Sequence, residues 1–268
     1  GGGDTGFSGK LNVSLREFII QKIFRKFGIS TSDVLGLANI KFISTDPLFN
    51  GKTFRYVIIQ RAGEQDDQIP FTKQFNLSAP IYESEGTNGW TSVDASFDRL
   101  RSAVVKNSKT GETVNISFDR DSTLKFLLLT EFLNLGDMGP LHNEEWGVDK
   151  TTGKTKIIPH GFDSSFGCFL SEPSDANPQY LINNLPSADR TPFKNAYYQI
   201  AREIFLDPSS LSSMLTLVDE FSYPGVDKEM LKEYLRIRFY QFAVYFKSQA
   251  FAESMGKAYQ ATTVSLPF

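Results

Sequence analysis

The segment Leu124-Lys-Phe-Leu-Leu-Leu-Thr-Glu-Phe-Leu133 constrains the fold more than any other part of this chain. It lies in a predicted helix, Ser122 to Leu135, whose apolar residues run nearly all round instead of along one stripe. A helix that is apolar nearly all round has to be covered nearly all round. The rest of the chain must therefore wrap it, and 268 residues suffice for one large domain or two lobes. The helix delivers the chain to Gly136-Asp137.

Composition narrows the function classes. At 40% hydrophobic and 22% charged residues the chain is globular. Its 24 phenylalanines predict an aromatic-rich core. A net charge of -3 gives no electrostatic case for nucleic acid. The lone Cys168 allows no intramolecular disulfide, and with His142 and His160 it is too little for a thiolate metal cage. Cys168 reads as a small core residue in preference to a nucleophile. No apolar run reaches the ~20 residues of a membrane span, and none reads as a signal peptide. The opening Gly1-Gly2-Gly3-Asp4-Thr5-Gly6 reads as a flexible tether or an expression scar. Such tethers also follow the lipid-bearing cysteine of bacterial lipoproteins, which gives the expectation of an extracytoplasmic, secreted or envelope-tethered location.

Along the chain, Ser14 to Phe27 predicts a helix with Leu15, Phe18, Ile19, Ile23 and Phe27 at 3–4 spacing. Ser14 and Glu17 make a capping-box pattern, and Gly28 is a natural stop. Strands are expected at Ala38–Ser44 and Phe54–Gln60, joined near Asn50-Gly51. The polar stretch 61–93 reads as a loop or insertion, and Ser96–Lys106 as a short amphipathic helix (Phe97, Leu100, Val104). Two short strands, Trp146–Val148 and Lys156–Ile158, turn at Thr152-Gly153. A Pro/Asn/Ser-rich stretch, 171–192, precedes helices at Pro192–Phe205, Ser209–Phe221 and Lys228–Phe251. Tyr234, Phe239, Phe242, Tyr245 and Phe246 on the last read as core. The organisation is a tether at 1–8, a partial small mixed lobe at 9–60, a hinge or insertion at 61–95, and a mostly helical large lobe at 96–268.

The segment with chemistry in it runs from Asp137 to Gly167. It sets a lone acid (Asp137), an amide six residues later (Asn143) and a second acid (Asp163) after the apolar Ile157-Ile158-Pro159. Phosphoryl transfer from a metal-bound nucleotide needs such parts. One acid receives or orients the attacking hydroxyl, while an amide and a second carboxylate hold the divalent ion.

These residues resemble the CotH-type (spore coat protein H) family of atypical kinases. Lys10-Leu-Asn-Val-Ser-Leu-Arg-Glu-Phe18, with Phe27-Gly28-Ile29 after it, is similar to that family's D-x-S-x-x-R-E helix. Tyr56-Val-Ile-Ile-Gln60 sits where the family has a strand entering the hinge. Asp137 with His142-Asn143 resembles its D-x-x-x-x-x-N loop. Ile158-Pro-His-Gly-Phe-Asp-Ser-Ser-Phe-Gly167 resembles its I-P-W-D-x-D-x-x-F-G metal segment. Departures stand beside these matches. Lys10 is too near the first helix to be the family's phosphate-binding lysine, so the small lobe is either cut short or degenerate. The family's Trp-Asp is His160-Gly161, its hinge Glu is Gln60, and the Asp137–Asn143 spacing is one longer than in familiar kinases.

The resemblance implies an α+β, protein-kinase-like fold with ATP and Mg²⁺ or Mn²⁺ as cofactors, and with nucleotide and a protein acceptor as partners. Asp137 would be catalytic, Asp163 and Asn143 metal ligands, and Glu17 a nucleotide-side acid. Each has a plainer reading. Asp137 also fits a Gly-Asp turn, Asp163 an N-cap, Asn143 a turn residue, and Glu17 the capping box. His142 reads as a structural hydrogen-bonding residue, and Glu144 and Glu145 as a solvated pair. An inactive kinase-like binding module and a nucleotidyl (AMP) transferase on the same fold are the alternative functions.

Overall fold

The computed structural model describes residues 13–31, 34–41, 45, 53–60, 75–82, 89–92, 100–135, 138, 141, 143–162, 182–183, 185–220 and 228–254. In chain order they form α1 (Val13–Lys26), β1 (Val34–Lys41), β2 (Thr53–Gln60), β3 (Leu77–Tyr82), β4 (Trp90–Ser92), β5 (Ser102–Asn107), β6 (Thr113–Ser117), α2 (Arg120–Leu133), β7 (Glu144–Asp149), β8 (Thr155–Pro159), α3 (Ser187–Phe205), α4 (Pro208–Asp219) and α5 (Lys228–Ser254). Small antiparallel sheets and five helices among the described residues make this an α+β protein, the class expected from the sequence. No described helix is long and apolar enough to cross a membrane.

The helix that opened the sequence reading is the centre of the core. Thr123, Leu124, Phe126–Thr130, Phe132 and Leu133 of α2 are all buried. α1, α3, α5 and β8 pack round it. Aromatic rings fill the space between helices: Phe205 of α3 lies 5.0 Å from Phe132 and 4.9 Å from Phe242 of α5, ring centre to ring centre. One buried cluster runs from Phe18 on α1 to Phe246 on α5. The α5 aromatics Phe239, Phe242 and Phe246 belong to it, as expected.

α1 ends as its sequence dictates. Gly28 adopts φ +80, and the amides of Gly28 and Ile29 return to the carbonyls of Arg25 (3.0 Å) and Phe24 (2.9 Å). This is a Schellman closure, which a residue with a Cβ would strain.

Two expectations are corrected. Ser96–Lys106 is not a helix over its described part: Ser102–Asn107 is strand β5, paired with β4 and β6. Phe97, Leu100 and Val104 fit helical spacing, but Ala103 and Val105 are buried while Ser102 and Lys106 are exposed. That period-2 alternation prevails. The polar stretch 61–93 also holds strands β3 and β4. The turn near Asn50-Gly51, Cys168, the opening glycines and residues 171–181 lie outside the described residues.

β7 is the middle strand of the sheet β3–β7–β8. Trp146 and its partner Ile157 face the main core, where Trp146 meets Phe118 edge-on at 5.0 Å. Ile158 faces a second cluster with Leu77 and Ile81. A Cβ on Gly147 would collide with Leu77, so glycine lets β3 lie against β7.

The β7–β8 turn is held by Asp149. Its Oδ1 accepts the amides of Thr151 (2.8 Å) and Thr152 (3.0 Å), and Lys156 Nζ donates to its Oδ2. The Lys156 ammonium and these amides lower the Asp149 pKa from 3.8 to about 2. A carboxyl depressed on folding stabilises above its unfolded pKa, and that contribution is lost as pH falls from 3.8 through about 2. Asp149→Asn is predicted to cost about 1 kcal/mol at neutral pH, after allowing for solvent screening. It should also flatten the acid loss of stability in that window. Urea unfolding of both proteins across the window tests this, and parallel acid losses would contradict it.

Candidate functional site

The site begins at the open end of the β7–β8 hairpin. Glu144 pairs with Pro159, so the residues just outside the ladder, Asn143 and His160, stand opposite each other. The His160 amide donates to the Asn143 carbonyl at 2.9 Å. Asn143 and Leu141 both adopt left-handed backbone, φ +53 and +61. An asparagine tolerates this, whereas for leucine it costs on the order of 1 kcal/mol or more. Leu141 is buried, and packing holds it there. Strain of this kind clusters at functional sites.

Gly161 follows His160 with φ +67. A Cβ placed there would overlap Oδ1 and Cγ of Asn143. The amide of Asn143 thus occupies the space that glycine leaves, two residues before Asp163.

Phe162 anchors this end to α1. Its ring is buried and stacks on Phe24, centroids 5.2 Å apart with planes 17° from parallel. Phe24 in turn lies 6.0 Å from Phe126 of α2. Beside this stack, the Thr31 hydroxyl donates to the Pro159 carbonyl at 2.6 Å. α1 is therefore tied to the end of β8 at two points. Phe24, Gln21 and Glu17 share one face of α1 by their i, i+4, i+7 spacing. Gln21 is fully buried, and its Nε2 donates to Glu17 Oε1 at 3.1 Å. Glu17 is half-buried and lies about 10 Å along the helix axis from Phe24.

Glu144 and Glu145 are not a solvated pair: their exposures are 0% and 9%. The cause is that β7 has strands along both edges and buried apolar clusters on both faces, Trp146 with Ile157 on one and Leu77, Ile81 and Ile158 on the other. Glu144 accepts the indole N–H of Trp146 at 3.1 Å. Glu145 projects on the other side, its Oε1 4.0 Å from Nε2 of His160.

At the far end of α2, Tyr197 donates to the Glu131 carboxylate at 3.0 Å. Burial pushes the Glu131 pKa up, against the opposing pulls of the Tyr197 hydroxyl and the Arg238 charge. Burial and this acid together drive the Tyr197 hydroxyl pKa up as well.

Of the sequence candidates, the fold brings Asn143 against the His160–Gly161–Phe162 segment and sets Glu17 on the α1 face that packs there. Asp137, His142 and Asp163 lie outside the described residues. Among the described residues no group of three His, Cys, Asp or Glu could hold a metal ion. Asp163 follows Gly161 by two residues in the sequence, and an amide oxygen and a carboxylate are the donor types that a hard divalent cation takes. A polar cleft of about 310 Å³ opens elsewhere, between the end of α1, the start of α2, Lys156 and α3, and no candidate residue lines it. Sequence reasoning passed over Phe24, Phe162 and Leu141. A phenylalanine next to Asp163 was a usable signal; the left-handed leucine left none.

No protein-family model matches the chain, and no curated protein matches it. Among solved structures, it is similar to the crystal structure of a Helicobacter pylori proinflammatory kinase, CtkA, with 12% identity over 90% of this chain and 88% of that one and a TM-score of 0.44. A likeness of that size does not bear on this chain's chemistry, and the CotH resemblance rests on the residues quoted for it.

Gly161→Ala should both strain the backbone and displace Asn143. The expected loss exceeds the strain of about 1–2 kcal/mol by the cost of that displacement. Gly153→Ala is the control, since Gly153 has φ +66 and nothing within 4 Å of its added Cβ. Equal melting temperatures for the two variants would refute the close approach of Asn143.

Proposed function

We propose that this chain is an ATP- and divalent-metal-dependent phosphotransferase of kinase-like, CotH-like type, acting on a Ser/Thr or other hydroxyl acceptor. What supports the reading above all is the meeting at the open end of the hairpin. There Asn143 abuts the segment that runs into Asp163, and Phe162 packs that segment onto the helix bearing Glu17. In this reading Asn143 and Asp163 are the ligands that hold Mg²⁺ or Mn²⁺, and Glu17 lies on the nucleotide side. The bound ion supplies neutralisation of the phosphate charge. Asp137 orients the acceptor hydroxyl and takes its proton as the oxygen bonds to the γ-phosphorus. The bond between that phosphorus and the β,γ-bridging oxygen breaks, and ADP leaves. Phe162 and Leu141, both buried, flank this region with apolar packing that limits water.

The test combines two readouts. ATP labelled at the γ position, with Mg²⁺ or Mn²⁺ and a protein acceptor, should yield labelled acceptor. Asp163→Ala should abolish both transfer and the metal-dependent thermal shift with ATP. Asp137→Ala should keep that shift while slowing transfer about 10²–10⁴-fold. Label arriving from the α position instead would identify a nucleotidyl transferase. A metal-dependent shift without turnover would identify a binding module, and no shift at all would remove the nucleotide reading.

A further inference from the structure

The last two residues of α2, Phe132 and Leu133, are fully buried, so carbonyls of the final turn draw on partners within the protein. Asn134 closes the helix in left-handed conformation, φ +49. The Asn134 amide donates to the Glu131 carbonyl at 3.2 Å, and the Leu135 amide to the Thr130 carbonyl at 3.0 Å. The remaining capacity is taken by a side chain more than a hundred residues away. Arg238 of α5 donates Nε to the Phe132 carbonyl at 3.0 Å and Nη2 to the Glu131 carbonyl at 2.7 Å. Arg238 is 5% exposed, and its guanidinium lies 5.0 Å from the centre of the Phe242 ring. Tyr197 of α3 grips the side chain of the same Glu131. Two helices, α3 and α5, thus converge on the last turn of α2, and Asp137 follows three residues after Asn134.

We propose that Arg238 is a positioning residue for the candidate site: its fork fixes the end of α2 and thereby the point from which the Asp137-bearing loop departs. The catalytic consequence rests on the phosphotransferase reading; the hold on the helix end does not. A buried cation at a helix C-terminus also meets the negative end of the helix dipole, so fork geometry and charge act together. Lysine keeps the charge, but its three donors radiate from one nitrogen and do not reproduce the planar fork that meets two successive carbonyls.

The experiment compares full-length wild type with Arg238→Lys and Arg238→Met, the second keeping the apolar stem without a buried charge. Hydrogen exchange is read at the Asn134 and Leu135 amides, with mid-helix amides of α3 and α5 as reference. Transfer kinetics are read as kcat and as KM for metal–ATP. In whichever variant folds, the two amides should exchange at least about tenfold faster, since one charge-assisted hydrogen bond or both are lost, with reference amides unchanged. kcat should fall by about tenfold while KM stays within about twofold, because groups that set the reacting geometry act on the chemical step. Wild-type exchange at Asn134 and Leu135, or an unchanged kcat alongside faster exchange, overturns the inference. A wild type that transfers no phosphoryl group overturns the functional reading instead, and the exchange comparison then still decides whether Arg238 holds the helix end.

Discussion

A helix buried along most of its length draws distant parts of the chain into satisfying its end groups, and α2 is such a helix. At its start the Asp119 carboxylate accepts the Ser122 amide at 2.8 Å, and the Asp119 amide itself is bound by the Thr155 carbonyl of β8. At its end the carbonyls are met by Asn134, Leu135 and Arg238. Each of these solutions recruits a different part of the chain: the β7–β8 hairpin at one terminus, α5 and α3 at the other. Satisfying one helix therefore fixes the relative places of most of the remaining elements. The same closure determines where the chain emerges toward Asp137.

The hairpin transmits that order to the candidate site. Five ladder pairs separate the Asp149 turn from Asn143 and His160, roughly 17 Å of strand. A slip of one residue would turn Trp146 away from Phe118 and put Gly147 into the main core. The turn chemistry of Asp149, Lys156 and Gly153 thus sets the register, and the register decides that Asn143 meets Gly161. The Asp149–Lys156 contact at one end of the hairpin is mechanically coupled to the Asn143–Gly161 contact at the other, although the two share no atoms.

Helices with strong periodicity and clear stops were legible in the sequence: α1 with Gly28, α2 with its apolar circumference, and the three helices of the C-terminal half to within a few residues at either end. The β7–β8 hairpin was legible from two apolar runs either side of a Thr-Gly turn. β5 was not, because Ala-Val-Val carries both helical and alternating patterns, and only the presence of β4 and β6 decides between them. β3 was hidden by Pro80 and by polar neighbours; it is an edge strand with just Leu77, Ile81 and Tyr82 buried. The burial of Glu144 and Glu145 was invisible for a related reason. Nothing local announces that β3 will pair with the other edge of β7 and bring Leu77 and Ile81 to a second buried cluster. Of the candidate site, Asn143 could be singled out from spacing, but the Phe24–Phe162 stack and the Arg238 fork join residues more than a hundred positions apart, and no local pattern encodes them.

The place of α1 bears on how such a site would work. In a two-lobed enzyme with a compliant hinge, a helix bearing Glu17 could swing away from the metal segment at little cost. Here α1 packs not only on β1 and β2 but also on α2 and α4. Phe18, Ile19, Ile20, Ile23 and Phe24 are all buried in the cluster shared with the C-terminal helices. Exposing five such side chains costs on the order of 10 kcal/mol at about 1.5–3 kcal/mol each, which is comparable with the entire stability of an ordinary domain. The stack of Phe24 on Phe162 and the Thr31–Pro159 hydrogen bond add to that cost. The separation between Glu17 and the segment entering Asp163 is accordingly set by core packing. Conformational control in this chain, if the site is catalytic, has to act through the loops that leave α2 and β8 and not through displacement of α1.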